Sequence, residues 1–314
     1  MSTRLAALNL GLRLFEKPRL ARAQNLFDAA EHFERLAARA FVMPETARAQ
    51  PGRLDGLDVL WVSCGRPDRR RVLLYFHGGA YMLGSPNTHQ HLAAALACRV
   101  AARAAVVRYR LTPTAPFPAA SDDALAAYRG LLDAGYEAAD IALAGDSAGG
   151  GLALGLLHRI VAEDLPRPAA VVAFSPWTDL ALTSDSLRTN ARRDVLLPAQ
   201  RLPEMRDAYL DGHDQKDPRA SPVYGTFDAH TPVLIQASQS EILADDSRRM
   251  AARLTACGAD VELTFWPRTP HVWQIFQQNL AEADEALDLA GAFLQRTLCA
   301  APPDGPLVKG NEAM

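Results

Sequence analysis

The residue with the clearest chemical potential is Ser147, which lies in the stretch GDSAG at 145–149 and follows the pattern G-x-S-x-G. An apolar, strand-like run (141–145) precedes it and a helical pattern (148–163) follows, which is the context in which a sharp turn presents a nucleophilic serine. The helix start supplies free N–H groups that favour a developing oxyanion. A phosphate-binding loop is disfavoured because no lysine follows the glycines as such loops require.

A second small-residue loop lies upstream, where HGGAY at 77–81 follows the strand-like run 72–76. Small side chains allow backbone N–H groups to face a substrate oxygen directly, and loops of this type form part of the oxyanion hole in lipases and esterases. We therefore predict an oxyanion loop here, with His77 and Gly78 as its supporting residues.

The general base has to be chosen among eight histidines. Only His271 follows the last predicted strand and also comes after the serine and the candidate acids in the chain, which is the order of α/β-hydrolase catalytic residues. His271 is thus the predicted base, since an imidazole can exchange a proton near neutral pH.

The acid that would orient this histidine is expected just after the strand-like run 233–238. The stretch that follows offers Glu241, Asp245 and Asp246. The two aspartates open the next helix, where carboxylates ordinarily complement the helix dipole. Glu241 and Asp245 both remain candidates for the acid at this point, whereas Asp146 is interpreted as support for the serine turn.

Several elements must position these groups, and their pattern indicates an α/β fold. Nearly continuous apolar runs alternate with helical patterns, as expected for a mostly parallel sheet covered by helices on both faces. The predicted strands are 57–63, 72–76, 104–109, 141–145, 169–175, 233–238 and 261–266. The predicted helices are 88–102, 121–134, 148–163, 245–257 and 281–298.

Two regions do not fit this alternation and are predicted to form a helical cap. Residues 1–45 have a helical pattern with no strand, and residues of about 180–218 are polar with one helical patch. We predict a catalytic domain over 46–300 that carries the second region as an insertion. The Pro- and Gly-rich stretch 301–314 is expected to be a flexible tail.

Composition limits the classes of function. The 314 residues are 49% hydrophobic with a net charge of −3, which argues against nucleic-acid binding. The four cysteines lack metal-site spacing and are interpreted as free thiols, with a disulfide left open. No signal peptide or membrane span is indicated, so a cytoplasmic location without stable membrane insertion is expected. The basic, amphipathic N-terminus favours packing on the same protein over association with a membrane surface.

Taken together, the motifs resemble those of hormone-sensitive-lipase-like esterases with the α/β-hydrolase fold, over residues of about 55–298. The stretches that carry the resemblance are HGGAY (77–81), YRLTPTAPFPAA (109–120), GDSAGG (145–150) and SPWTDL (175–180). The resemblance implies an oxyanion hole made by the N–H groups of Gly79, Ala80 and Ala148, and places Glu241 at the acid of the family pattern D-P-L-x-D. The chain departs from the family at Ala80, where glycine is usual, and at Arg108 and Thr114, where Asp and Glu are usual.

The resemblance implies a serine carboxylesterase for short- to medium-chain esters that needs no metal or organic cofactor. Lactone hydrolysis, of the ε-caprolactone or monoterpene lactone type, is the alternative reaction. A non-catalytic ligand-binding relative is the alternative of another class, and the presence of His271 disfavours it. Tyr81, Trp177 and Trp273, with Phe276, are candidates for the substrate pocket, and a homodimer is an expectation from the family alone.

Overall fold

The computed structural model describes residues 2–23 and 26–298, which build one eight-stranded sheet with helices on both faces. The strands are β1 (Ala47–Leu54), β2 (Leu57–Cys64), β3 (Val72–Phe76), β4 (Arg103–Val107), β5 (Ile141–Asp146), β6 (Ala170–Phe174), β7 (Val233–Ser238) and β8 (Val261–Trp266). The α-helices are α1 (Thr3–Gly11), α2 (Lys17–Arg22), α3 (Leu26–Ala40), α4 (Pro86–Arg99), α5 (Ala119–Asp133), α6 (Ala148–Ala162), α7 (Ser186–Thr189), α8 (Leu202–Leu210), α9 (Ala244–Ala256) and α10 (Ala281–Leu298).

The sheet has the order β1-β2-β4-β3-β5-β6-β7-β8. β1 and β2 pair antiparallel, β2 also runs antiparallel to β4, and the other neighbours are parallel. The predicted mostly parallel α/β sheet is therefore confirmed. All seven predicted strands and all five predicted helices are present, with ends that differ by at most three residues.

The central strands are apolar throughout because each of their faces is covered. In β3, Leu74 and Phe76 pack into the cluster that includes α5, α6 and α9, whereas Leu73 and Tyr75 pack into the cluster that includes α4 and α10. Successive side chains of a strand point to opposite faces, so a strand buried on both sides needs apolar residues at every position. This burial fixes β3 and β5, whose carboxyl ends carry the two small-residue loops.

β1 is an element that the sequence analysis missed. It is a largely exposed edge strand that contains Pro51 and Gly52, residues that are uncommon inside sheets but tolerated at an edge. It joins β2 through Asp55 and Gly56, which both have positive φ, at 46° and 79°. An Asp-Gly pair between two strands is a strong hairpin signal, and it was available in the sequence.

The two regions predicted to form a cap contact each other above the sheet. Residues 1–45 contribute α1, a π-helical turn over Leu12–Glu16, α2 and α3, whereas 180–218 contributes α7 and α8. The Lys17 ammonium donates to the carbonyl oxygens of Ala191 and Asp194, at 2.8 and 2.7 Å. The predicted tail 301–314 lies outside the described residues.

The expectation of free thiols is wrong for two of the cysteines. Cys64 at the end of β2 and Cys98 in α4 are joined as a disulfide, which links the sheet to the helix packed on it. Their separation of 34 residues gave no signal, because the pairing depends on α4 folding back over β2. Cys257 is free and half-buried, and Cys299 lies outside the described residues.

Candidate functional site

Ser147 occupies the sharp turn between β5 and α6. Its backbone lies at φ 52° and ψ −121°, a region that non-glycine residues rarely adopt and that costs energy to maintain. The turn is held by its N–H, which donates to the carbonyl oxygen of Phe174 at 2.8 Å, and by its carbonyl, which accepts from the N–H of Trp177 at 3.0 Å. The surrounding structure thus fixes a conformation that projects the hydroxyl away from the sheet.

Two distant segments bring a histidine and a carboxylate to this serine. The Nε2 atom of His271 lies 2.8 Å from Oγ of Ser147, and its Nδ1 atom lies 2.6 Å from Oε2 of Glu241. Because a carboxylate only accepts, Nδ1 carries the proton and Nε2 is free to accept from the serine hydroxyl. The other carboxylate oxygen accepts the Ser238 N–H at 2.8 Å, which fixes the acid at the end of β7.

The electrostatic environment of His271 stabilises its charged form. Burial alone lowers the pKa of this imidazole, but the hydrogen bond and charge of Glu241, with smaller contributions from Asp194 and Asp146, outweigh burial and raise the pKa above 6.5. An imidazole placed between an alcohol and a carboxylate in this way can take the alcohol proton as the alcohol attacks an electrophile.

The other acid candidates lie elsewhere. Asp245 accepts the N–H of Ser186 at 2.8 Å and pairs with Arg248 at 2.7 Å near the start of α9. The neighbouring Asp246 is buried. Its carboxylate accepts from the Thr178 N–H and the Ser184 hydroxyl, and burial raises the pKa of Asp246 to about 7. Of the two candidates left open by the sequence, Glu241 contacts the histidine and Asp245 does not.

The loop 77–81 approaches the serine turn with an unusual backbone. Gly79, Ala80 and Tyr81 have positive φ, at 121°, 54° and 62°, and at Gly79 a Cβ would also collide with the carbonyl of Leu83. In the described part of the chain, the N–H groups of Gly79 and Ala80 donate to no protein acceptor. Ala148 opens α6, so its N–H likewise lacks a partner within the helix.

His77 and Gly78 support this loop from inside the protein. The carbonyl oxygen of His77 accepts from the Tyr109 hydroxyl at 2.6 Å, and the two rings stack with centroids 4.3 Å apart. Burial, with the charge of His89, lowers the pKa of His77 to about 3, so the ring is neutral. Through these contacts Tyr109 supports the loop, although its neighbour Arg108 stands where the family usually has Asp. Gly78 leaves no room for a side chain because Asp146 lies against it.

A buried polar network beside the serine was only partly predicted. Asp146 accepts from the Tyr75 hydroxyl at 2.7 Å and faces Nε2 of His89 at 3.3 Å. The support role of Asp146 was expected, but no spacing in the sequence links it to a tyrosine in β3 or to a histidine in α4. This network ties the turn that carries Ser147 to two other elements.

Ser147 and His271 line a mostly apolar cavity of about 840 Å³. Its walls come from the N-terminal helices, from the segment that leads into α8 and from the residues after His271. The apolar lining includes Leu8, Leu12, Phe15, Leu20, Phe33, Leu36, Leu196, Leu197, Leu202, Met205, Val272, Ile275 and Phe276. A mostly apolar cleft of this size with a few polar groups at one point is typical of small-molecule sites.

Tyr81, Trp177 and Trp273 were predicted to line the substrate pocket. None of the three is among the residues that line the described cavity, and each side chain is buried in packing instead. Tyr81 stacks on Tyr209 with centroids 3.8 Å apart, and Trp273 packs in a separate cluster. Proximity to a motif in the sequence therefore did not determine whether a side chain faces this cavity. Phe276 does line the cavity.

The described residues also bear on metal binding and on membrane spanning. Among the described residues, no group of three or more His, Cys, Asp or Glu side chains is arranged to hold a metal ion. Over the same ranges, no helix combines the length and apolar character needed to cross a membrane.

Known proteins resemble this chain in both sequence and fold. The sequence profile of a family described as having the alpha/beta hydrolase fold matches residues 73–275. An acetyl-hydrolase of Streptomyces hygroscopicus is 43% identical over 235 residues, which cover 75% of this chain and 78% of that protein. An esterase of Acinetobacter venetianus is 34% identical over 250 residues, or 79% of this chain and 82% of that protein.

Among solved structures, an esterase from the bacterial hormone-sensitive lipase family superposes with a TM-score of 0.90 at 34% identity, over 95% of this chain and 99% of that chain. The esterase EstE5, in a crystal soaked with p-nitrophenyl butyrate, gives a TM-score of 0.90 at 33% identity, over 96% of this chain and 100% of that chain. With its sheet order, serine turn and sequence relatives in agreement, the chain belongs to the hormone-sensitive-lipase-like family of α/β-hydrolases.

Proposed function

We propose that this protein hydrolyses carboxylic esters with short to medium acyl chains, using Ser147 as the nucleophile. The proposal rests above all on the chain of hydrogen bonds from Ser147 through His271 to Glu241, with distances of 2.8 and 2.6 Å. The names of the relatives, which include an acetyl-hydrolase and esterases, support the same class of reaction.

In the first half of the reaction, Oγ of Ser147 attacks the ester carbonyl carbon while Nε2 of His271 takes the hydroxyl proton. Glu241 stabilises the imidazolium that forms and holds the ring in the required tautomer. The carbonyl oxygen becomes an oxyanion, and the N–H groups of Gly79, Ala80 and Ala148 are assigned to bind it. Loss of one such donor typically lowers the rate by about 10²–10³.

The tetrahedral intermediate then collapses as the C–O bond to the alcohol breaks. The alkoxide leaves as the alcohol with the proton from His271, and the acyl group stays on Ser147. A water molecule gives a proton to Nε2 and attacks the acyl carbon, and collapse of this second intermediate releases the acid and restores the serine hydroxyl. The steps use the Ser147 nucleophile, proton transfer through His271, the charge of Glu241 and the backbone N–H groups.

The cavity supports the choice of substrate class. An acyl or alcohol chain can bury apolar surface against its lining, at about 25 cal/mol per Å². Apart from the residues around Ser147 and His271, the charged or titratable lining residues are Glu16, Arg19, Arg22 and His32, and most of the remaining lining is apolar, which suits an apolar ester.

A series of p-nitrophenyl esters of increasing chain length tests the function. We expect measurable hydrolysis from acetate to octanoate and no hydrolysis above background in Ser147→Ala. Ser121→Ala provides the control, because it removes a buried hydroxyl that contacts Arg159 rather than His271 or the loop of Glu241, and it should keep most of the activity. Equal rates in wild type and Ser147→Ala would contradict the proposal. Adding ε-caprolactone to the series measures the alternative reaction, which uses the same steps on a cyclic ester.

A further inference from the structure

The N-terminal helices carry an exposed apolar patch. Leu10, Leu14 and Phe15 are 58%, 56% and 70% exposed, and they account for three of the five large hydrophobic residues that are exposed in the described chain. On the opposite side of the same segment, Leu5 and Leu12 are buried. The segment is therefore apolar on both sides, and only one side is covered by its own protein.

A basic cleft adjoins this patch. A hollow of about 530 Å³ is lined by the guanidinium-bearing residues Arg13, Arg193 and Arg268, together with Asn9, Ser240 and Leu10. No carboxylate belongs to this lining within the described residues. Arg13 donates to the carbonyl oxygen of Arg193 at 3.2 Å, and the Asn9 amide donates to that of Arg268 at 2.8 Å, so the cleft is a built feature of the surface.

Charge is also concentrated in this segment. Residues 2–23 contain five basic side chains and one acidic side chain, a formal charge of +4, although the whole chain has −3. Of these, Arg13 lines the basic cleft, whereas Lys17 donates to backbone carbonyls of the cap and Arg19 and Arg22 line the substrate cavity. A helix with exposed apolar residues flanked by basic ones is the pattern that binds at the headgroup level of an anionic bilayer. Each basic residue near such a surface adds attraction, which salt screens.

We propose that this docking surface, defined as Leu10, Leu14 and Phe15 with Arg13, Arg193 and Arg268, binds the surface of an anionic phospholipid membrane. The arginines would contact lipid phosphates while the apolar side chains enter the acyl boundary. Binding here is peripheral and does not insert a helix across the bilayer. A second copy of the chain is a poorer occupant, because a two-fold contact centred on this surface would place arginines against arginines.

The docking surface is continuous with the substrate cavity. Phe15 belongs to the exposed patch and also lines the cavity that contains Ser147. Docking would bring the cavity mouth to the lipid, from which an apolar ester could enter; this consequence, unlike docking itself, rests on the proposed esterase function. The membrane binding can therefore be tested without any activity assay.

Sedimentation of the full-length protein with phospholipid vesicles tests the proposal. We expect binding to vesicles that contain phosphatidylglycerol, little binding to pure phosphatidylcholine, and a fall in binding as salt rises. Leu10→Ser/Leu14→Ser should weaken binding by about tenfold or more, whereas Leu289→Ser, a 48%-exposed leucine on α10, should not. Arg193→Gln/Arg268→Gln should weaken it similarly, and Arg53→Gln/Arg296→Gln, with the same net charge, should not.

Two further measurements complete the test. Inorganic phosphate should not displace the protein from vesicles more than chloride of equal ionic strength does; selective displacement would indicate a site for free phosphate and overturn lipid docking. Light scattering without lipid should give the same oligomeric state for wild type and Leu10→Ser/Leu14→Ser, and a change would identify a second copy as the occupant. Failure to bind the anionic vesicles, or equal loss in the control variants, also overturns the proposal. Hydrolysis of soluble p-nitrophenyl butyrate by these variants separately tests the esterase function.

Discussion

Asp194 accepts a hydrogen bond from the backbone N–H of Ile242, the residue after Glu241, at 2.9 Å. Its other oxygen accepts from the N–H groups of Leu196 and Leu197, which line the substrate cavity. One buried carboxylate thus holds the loop of the proposed triad acid and a wall of the cavity in fixed relation. Lys17 from the N-terminal helices donates to the backbone carbonyl of the same residue.

We expect Asp194→Asn to reduce kcat by about tenfold with a smaller effect on KM, because Asp194 acts through Glu241 and touches no substrate. The amide would face the Ile242 N–H or the other two N–H groups with a donor, and an unsatisfied buried group costs about 1–3 kcal/mol. Asp194 also helps to raise the pKa of His271, so the acid limb of the rate profile should move to lower pH. The exposed Asp185→Asn serves as the control, and an unchanged pH profile in Asp194→Asn would indicate a purely structural role.

The pH dependence of wild type follows from the charge of His271. Only the neutral imidazole can accept the serine proton, so kcat/KM should rise with pH through the pKa of the free enzyme. Because Glu241 raises that pKa above 6.5 against the effect of burial, the midpoint should lie above 6.5. Glu241→Gln removes the charge that opposes the effect of burial, so the pKa of His271 and the midpoint of the profile should fall. The same variant should reduce kcat by up to about 10⁴. A profile of kcat/KM for both proteins checks this, and a midpoint that rises in the variant would be the wrong sign.

Gly149 allows the serine turn and the strand before the oxyanion loop to pack closely. A Cβ at this position would strike the carbonyl oxygen of Phe76, the residue before His77. Gly149→Ala is therefore expected to lower the melting temperature, since overpacking costs about 1–3 kcal/mol, and to reduce activity by displacing the loop. Gly11→Ala offers a matched comparison, because no atom lies within 4 Å of its Cβ and the helical backbone prefers alanine. Stabilisation by Gly149→Ala would refute the packing argument.

The cavity wall should set the preferred chain length. Met205 of α8 lines the cavity, and a tryptophan there would occupy space that a longer acyl chain needs. We expect Met205→Trp to lower kcat/KM for p-nitrophenyl octanoate at least about tenfold more than for the acetate. Glu204→Trp, one residue away and outside the lining, should leave the ratio unchanged. Equal losses on both esters would place the acyl chain elsewhere.

Local pattern was enough to predict most of the sheet and to select Ser147 and His271, whereas Glu241 was selected over Asp245 only by the family resemblance. The runs 72–76 and 141–145 are apolar at every position because both faces are buried, and His271 stands out because of its place after the last strand. β1 was missed because its exposed edge position permits a polar sequence with Pro51 and Gly52. The Asp55-Gly56 turn was the signal that could have revealed it.

Contacts between distant segments are what the sequence did not reveal. The Cys64–Cys98 disulfide depends on how α4 lies on β2, and the role of Asp194 depends on the path of a polar segment with little regular structure. The burial of Tyr81, Trp177 and Trp273 away from this cavity was not visible in the sequence for the same reason, since tertiary packing sets the direction of each side chain. The sequence showed which residue types could carry the chemistry, whereas the residues that position them were identified only from the folded structure.

Covalent labelling by a fluorophosphonate, followed by mass analysis of the labelled peptide, tests the central claim most directly. The reagent reacts with a serine only when a base draws off its proton and nearby N–H groups stabilise the oxyanion, so the label should fall on Ser147 in wild type. Labelling should be at background in Ser147→Ala and at least about a hundredfold slower in His271→Ala. A label on another residue, or undiminished labelling of His271→Ala, would contradict the account.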